Sequence, residues 1–218
     1  MSWRRSRRSR IVELTDRALV RLYWPVELRP AFDALFAIDD VMAEVVASST
    51  QPALGAIRLA WWREALERLD HYPPPAEPRL QAVADHLVPC GVTGASLAAL
   101  EDGYASLLDE EPDSDRIGTG GAALFAIGAT LLGANDDHLS AAGRLHAFAR
   151  TARRGLAAFP DDLGIDVASH RFAKALRPLT AFARLAARDA KRAPTLEPEA
   201  VPARALALLA HRLTGRIG

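Results

Sequence analysis

Two groups of side chains in this sequence have the types and spacing to do chemistry. The first is acidic. Asp39, Asp40 and Glu44 sit close together on one helix-forming stretch, and Asp40 and Glu44 have the four-residue spacing with which helix carboxylates hold a divalent cation. The second is basic. Arg144, Arg150, Arg153 and Arg154 crowd one segment, with His146 among them; Arg150, Arg153 and His146 share one edge of a helix. Such a cluster would hold an anion, a diphosphate or a lipid head group, without a metal. The competing reading is a solvated face whose arginines complement the C-terminal end of the helix dipole. Other chemistry finds little support. The six histidines are scattered and no pair has ligand spacing on one helix face, so no zinc site is expected. Cys90 is alone, no Ser or Thr lies in a nucleophile motif, and the acidic run Asp109–Asp115 lacks calcium-loop spacing.

The elements that must position these groups are helices. At about 100° per residue, Leu28, Phe32, Leu35, Ile38, Met42 and Val46 fall on one face of a helix running from about Glu27 to Ala47. Asp39 lies in the middle of that face, while Asp40 and Glu44 fall on the opposite flank and are expected to meet solvent. The next helix, opened by Pro52, carries two apolar stripes: Leu54, Ile57, Trp61 and Ala65, then Leu59, Trp62, Leu66 and Leu69. That pattern predicts packing on two sides, with Arg58 buried between the stripes. A buried guanidinium left unpaired costs about 3–5 kcal/mol, so an Asp39–Arg58 ion pair is expected.

The rest of the chain reads as more helices: about Ile11–Leu22, a short one ending near Val88, one reaching Leu108, the apolar Thr119–Leu132, Asn135–Gly155, Ala168–Lys191 and Glu199–Thr214. Small residues in Thr119–Leu132 should allow neighbours to approach closely. His71–Pro78 is a stiff connector, Asp109–Gly118 an acidic loop and Phe159–Gly164 a turn. No strand, repeat or Gly-rich phosphate loop stands out. The fold class is all-α.

With 218 residues, half of them hydrophobic, the chain suits a single domain with a sizeable core. Positive and negative charges balance at 27 each, which argues against a nucleic-acid partner. Five arginines and no acid occupy residues 1–10, read as a basic, flexible tail ahead of a helical domain over 11–218. No apolar signal core follows the tail, and no window would span a membrane. The expected location is cytoplasmic, with peripheral membrane contact through the basic N-terminus as the further option. The last helix, Pro202–Arg216, is amphipathic and basic; it suits either a membrane surface or packing on the bundle.

Several segments resemble the squalene/phytoene synthase family. Arg29-Pro-Ala-Phe-Asp-Ala-Leu-Phe-Ala37 and Pro52-Ala-Leu-Gly-Ala-Ile-Arg-Leu-Ala-Trp-Trp-Arg-Glu-Ala-Leu66 are similar to its opening helices. Weaker likeness continues through Gly118–Leu124, the Ala142-Gly143 helix and Phe159-Pro-Asp-Asp-Leu163, although this chain is shorter than typical members. The Arg58–Leu66 segment looks most like the divergent branch that includes the mitochondrial complex I assembly factor. The resemblance implies an isoprenoid-synthase-like helical bundle around a central apolar cavity. It also implies two Asp-x-x-x-Asp motifs on facing helices, which in active members hold Mg²⁺ against a diphosphate.

Those acids are missing here. Anchoring the family pattern on Phe36-Ala37 puts Ala43 and Ala47 at the first pair of acid positions, and the second motif reads Arg153-Arg154-Gly-Leu-Ala-Ala158. Arg154 would repel Mg²⁺ where the family binds it. The chain is therefore expected to have lost metal-dependent prenyl diphosphate condensation and to bind a lipid or a partner protein as an assembly-type factor, with no cofactor. The alternative is a prenyltransferase condensing farnesyl or geranylgeranyl diphosphate, with Mg²⁺. It would use Asp39, Asp40 and Glu44 with Arg58 and the Arg150/Arg153 cluster.

Overall fold

The computed structural model describes residues 14–160, 163 and 167–218. The basic tail, the first turn expected from Ile11 and both acids of Phe159-Pro-Asp-Asp-Leu163 lie outside the described residues. The described chain is helical, and an isolated bridge between Arg171 and Arg216 is its one β-type pairing. In order, the helices are α1 (Asp16–Arg21), α2 (Arg29–Ser48), α3 (Pro52–Arg68), α4 (Pro78–His86), α5 (Gly94–Ala98), α6 (Glu101–Ala105), α7 (Ser114–Leu132), α8 (Leu139–Arg153), α9 (Arg177–Ala190) and α10 (Pro202–Thr214). None of them is long and apolar enough to cross a membrane.

Local chemistry sets most of the boundaries. Pro30, Pro52, Pro78, Pro178 and Pro202 all lie in first turns, where the missing N–H costs nothing. Thr15, Glu77 and Thr93 accept hydrogen bonds from the first-turn amides of α1, α4 and α5. The acidic loop expected through Gly118 ends early, because the Asp113 carboxylate accepts from the Asp115 and Arg116 amides and starts α7 at Ser114. The single helix expected up to Leu108 is instead α5, α6 and a 3-10 turn over Ser106–Leu108.

A close helix crossing joins α7 to α8. A Cβ on Gly121 would lie 2.3 Å from the Gly143 carbonyl oxygen, and one on Gly143 would lie 2.4 Å from that of Gly121. Only paired glycines permit this approach, which fixes where α8 stands relative to the core. Phe32 and Phe36 of α2 pack against Phe182 of α9, and His146 of α8 lies against Phe36, Phe125 and Phe182. These aromatic side chains occupy the interior between α2, α8 and α9.

Helix α3 departs from the two-sided packing expected of it. Leu59, Trp62, Leu66 and Leu69 are buried, but Leu54, Ile57 and Trp61 are about half exposed or more. Trp61 sets its ring edge-on to Trp62, with centroids 5.1 Å apart. Arg58 is therefore exposed, not trapped between two packed faces, and its Nη1 donates to the Ser48 hydroxyl at 3.2 Å. Both stripes are present, but the neighbours cover the second and, of the first, only Ala65.

Candidate functional site

A cavity of about 340 Å³ opens where α1, α2, α8, α9 and the start of α10 converge. Its walls are apolar at Phe36, Phe182 and Leu185 and charged elsewhere. The charged walls come from one helix register after another. On α9, Asp189 lies seven residues after Phe182, so both point inward; on α10, Arg204, Ala207, Leu208 and His211 form the buried stripe.

Three paired clusters stand in or directly behind the walls of this cleft. Asp39 is 1 % exposed; it accepts from Arg150 Nη1 and, at 2.8 Å, from the Tyr104 hydroxyl. Asp40 accepts from Arg154 and from both terminal nitrogens of Arg17, with Arg17 Nη2 at 2.8 Å from Oδ1. Asp189 accepts from Arg153 Nε and Nη2, each at 2.6 Å, and from Arg204 Nη1 at 2.5 Å. Arg204, 1 % exposed, also donates from Nε to Asp16 at 2.8 Å. Asp16 in turn accepts from the Ala200 amide at 2.9 Å, fixing a residue with φ of 54°, in the left-handed region disfavoured for alanine.

Charge here is internally balanced. Arg17, Arg150, Arg153, Arg154 and Arg204 are paired with Asp16, Asp39, Asp40 and Asp189. Burial, the largest single influence, would lower the Arg150 pKa, but the Asp39 charge and hydrogen bond, with the neighbouring Tyr104 and Asp40, together overcome it and raise it. For Arg17, the Asp40 hydrogen bond and charge likewise overcome desolvation. Burial drives the Tyr104 hydroxyl well above its usual range, so it stays a donor to Asp39. His146 goes the other way. Burial, then the positive charges of Arg150, Arg17 and Arg154, hold its pKa well below 6.5. His146 is thus a neutral ring in an aromatic cluster, and its Nε2 has no hydrogen-bond partner among the described residues.

Residues 14–117 match the family model described as squalene/phytoene synthase. That stretch is similar to the squalene/phytoene synthase family. It is slightly less than half of the chain and includes the α1 and α2 walls of the cleft; α8, α9 and α10 lie beyond it. No curated protein and no solved structure matches the chain.

Against the family's Mg²⁺ chemistry, the acids present are a poor fit. Both oxygens of Asp40 accept from guanidinium groups, and Arg150 lies on Asp39; a hard cation would have to displace fixed charges that already neutralise these acids. Glu44, the third candidate acid, is exposed and reaches only Arg79, at 3.5 Å. Ala43, one of the two anchored acid positions, is buried, and Ala47 is exposed. At the second motif Arg154 points back at Asp40, so two facing helices carry opposite charges rather than like ones.

The structure reassigns several predicted partners. Asp39 pairs with Arg150 across helices, not with Arg58, because α3 turns Arg58 outward. Asp40 was expected to meet solvent with Glu44, yet it turns into the cleft, since α1 and the end of α8 cover that flank of α2. Arg150 and Arg153 do line one cavity with His146, as their shared helix edge implied. The sequence reasoning missed Asp16, Arg17, Asp189 and Arg204. A signal existed for two of them: Asp189 and Arg204 stand at core positions of otherwise amphipathic helices.

Proposed function

We propose that this protein is a squalene/phytoene synthase-family member that no longer condenses prenyl diphosphates and works as a lipid-binding factor of the assembly type. The observation that carries the first half is Asp40 held between Arg17 and Arg154. Metal-assisted loss of diphosphate needs free carboxylates on facing helices to hold the cation. Here Asp40 is instead neutralised by guanidinium groups from two helices, which supports the reading that this carboxylate is not kept for a cation.

The binding half rests on α10. Leu206, Leu209 and Leu213 form an exposed row, 47–69 % accessible, and the helix carries no acid. Arg212 and Arg216 flank the row and are exposed. An apolar stripe edged by cations suits an anionic lipid surface better than a protein partner of unspecified charge. The five arginines of residues 1–10 would add to that attraction at about 1 kcal/mol per charge near the surface.

Two measurements test this reading. Purified protein with Mg²⁺ and farnesyl or geranylgeranyl diphosphate should release no diphosphate above the protein-free rate. Release that disappears in Asp40→Asn would restore the prenyltransferase alternative. Sedimentation with phosphatidylglycerol vesicles, but not with phosphatidylcholine vesicles, should be lost when Leu206 and Leu213 are both changed to Asp; unchanged sedimentation of that variant would remove the α10 surface from the proposal.

A further inference from the structure

Outside the cleft, and among the described residues, the fold assembles from distant parts of the chain one group of side chains able to bind a metal. Asp136 and His138 stand in the connection between α7 and α8, and His170 lies in the segment leading to α9. His170 Nε2 is 2.8 Å from Asp136 Oδ2, and His138 Nδ1 is 3.5 Å from Asp136 Oδ1. One candidate ligand atom from each of the three lies within 4.8 Å of the other two. A tetrahedral ion with bonds near 2.1 Å separates its ligand atoms by about 3.4 Å, so the cluster is already near the size required.

Chemistry as well as distance favours an ion of the zinc type. Two imidazoles and one carboxylate are a borderline-soft set, suited to Zn²⁺ and its neighbours rather than to Mg²⁺. Asp136 has no guanidinium or ammonium partner among the described residues; its ion-pair contacts are the two histidines. It therefore keeps the free charge that Asp39, Asp40 and Asp189 have given up. The two imidazoles now stack, with centroids 3.9 Å apart and planes 15° from parallel. An ion lying in the plane of both rings needs one ring to turn, and the His138 side chain, 46 % exposed, can do so without moving the backbone. Coordination through His170 Nε2 places that ring's proton on Nδ1.

We propose that Asp136, His138 and His170 bind one zinc-class divalent cation, with solvent in the fourth position. The ion would clamp the α7–α8 connection to the segment before α9. That segment is also joined to the C-terminus, since the Phe172 amide donates to Gly215 at 2.9 Å and the Gly218 amide to Ala168 at 3.2 Å. One ion would thus fasten three separate parts of the chain, and its binding should read out as thermal stability.

The test uses untagged full-length protein, stripped with a chelator and titrated with zinc chloride against a chromophoric competitor. The expected result is one Zn²⁺ per chain, with a rise in Tm. His138→Ala and His170→Ala should each weaken binding by about tenfold or more, while Asp137→Ala, an exposed neighbour, should leave it unchanged. His138→Ala alters an exposed side chain with no capping role in α8, so metal-free circular dichroism should match the parent and a loss of binding is not a loss of fold. Absence of a saturable single site overturns the proposal, and so does binding of equal strength in both histidine variants. Either result leaves the three side chains as a hydrogen-bonded, stacked cluster only.

Discussion

The cleft and the Asp136 cluster both bring carboxylates and nitrogen bases together, yet the two are prepared for opposite tasks. In the cleft, guanidinium groups reach Asp39, Asp40 and Asp189 from neighbouring helices. At Asp136 the neighbours are imidazoles, which can be neutral and can donate a lone pair. Arginine does neither, because it stays protonated and has no acceptor. An acid is open to a metal or closed to it according to which base its fold supplies, not according to the spacing of the acids.

The largest effect that would sharpen this contrast is at Arg204. Arg204→Met leaves Asp189 with a single arginine and Asp16 with none in a buried setting, so chemical denaturation should show a loss of about 3–5 kcal/mol. Retention of parent stability would mean that the cleft carboxylates are not held by charge. Next comes Arg154→Asp, which restores an acid opposite Asp40. With Arg17 still in place, Tm in chelator should fall by a few degrees, and Mg²⁺ should recover part of the drop. A Tm indifferent to Mg²⁺ in that variant would mean that more than Arg154 closes the site.

A third outcome concerns pH. His146 is kept neutral in the folded state by burial and by Arg150, Arg17 and Arg154, but takes up a proton near pH 6.5 when unfolded. The unfolded chain therefore binds more protons below that point, and stability should fall with pH by up to about 1.4 kcal/mol per unit for this one group. Burial lowers the His211 pKa as well, so His146→Phe should flatten the acid side of the stability curve without abolishing its slope. An unchanged slope would place the titration elsewhere. The smallest effect is expected at the other cluster. In metal-free protein Asp136→Asn should cost less than about 1 kcal/mol, because the hydrogen bond lost is a partly solvated one, and equilibrium unfolding would detect anything larger.

The legibility of these features follows the range of the forces behind them. The α2 face carrying Phe32, Leu35, Ile38 and Met42 could be read from periodicity, and Asp39 within it could be read as a buried acid in need of a cation. Which cation answered was not readable. Arg58 was the expected partner, but the orientation of α3 puts it outside, and α8 brings Arg150 against Asp39 instead. The two stripes of α3 looked alike in the sequence for the same reason: hydrophobicity marks a face as able to pack, not as packed.

The sequence by itself determined the helical class, the cluster of Arg150, Arg153 and His146 on one edge, and the likeness to squalene/phytoene synthases over a stretch that the family match covers. The resemblance also implied arginine where the family pattern calls for a metal-binding acid. Tertiary structure alone decided that Asp40 turns inward, that Arg204 joins Asp16 to Asp189, and that Asp136 meets His170 across 34 residues. Helix periodicity is a property of neighbouring residues, whereas an ion pair or a ligand set exists only once packing has chosen which helix faces which.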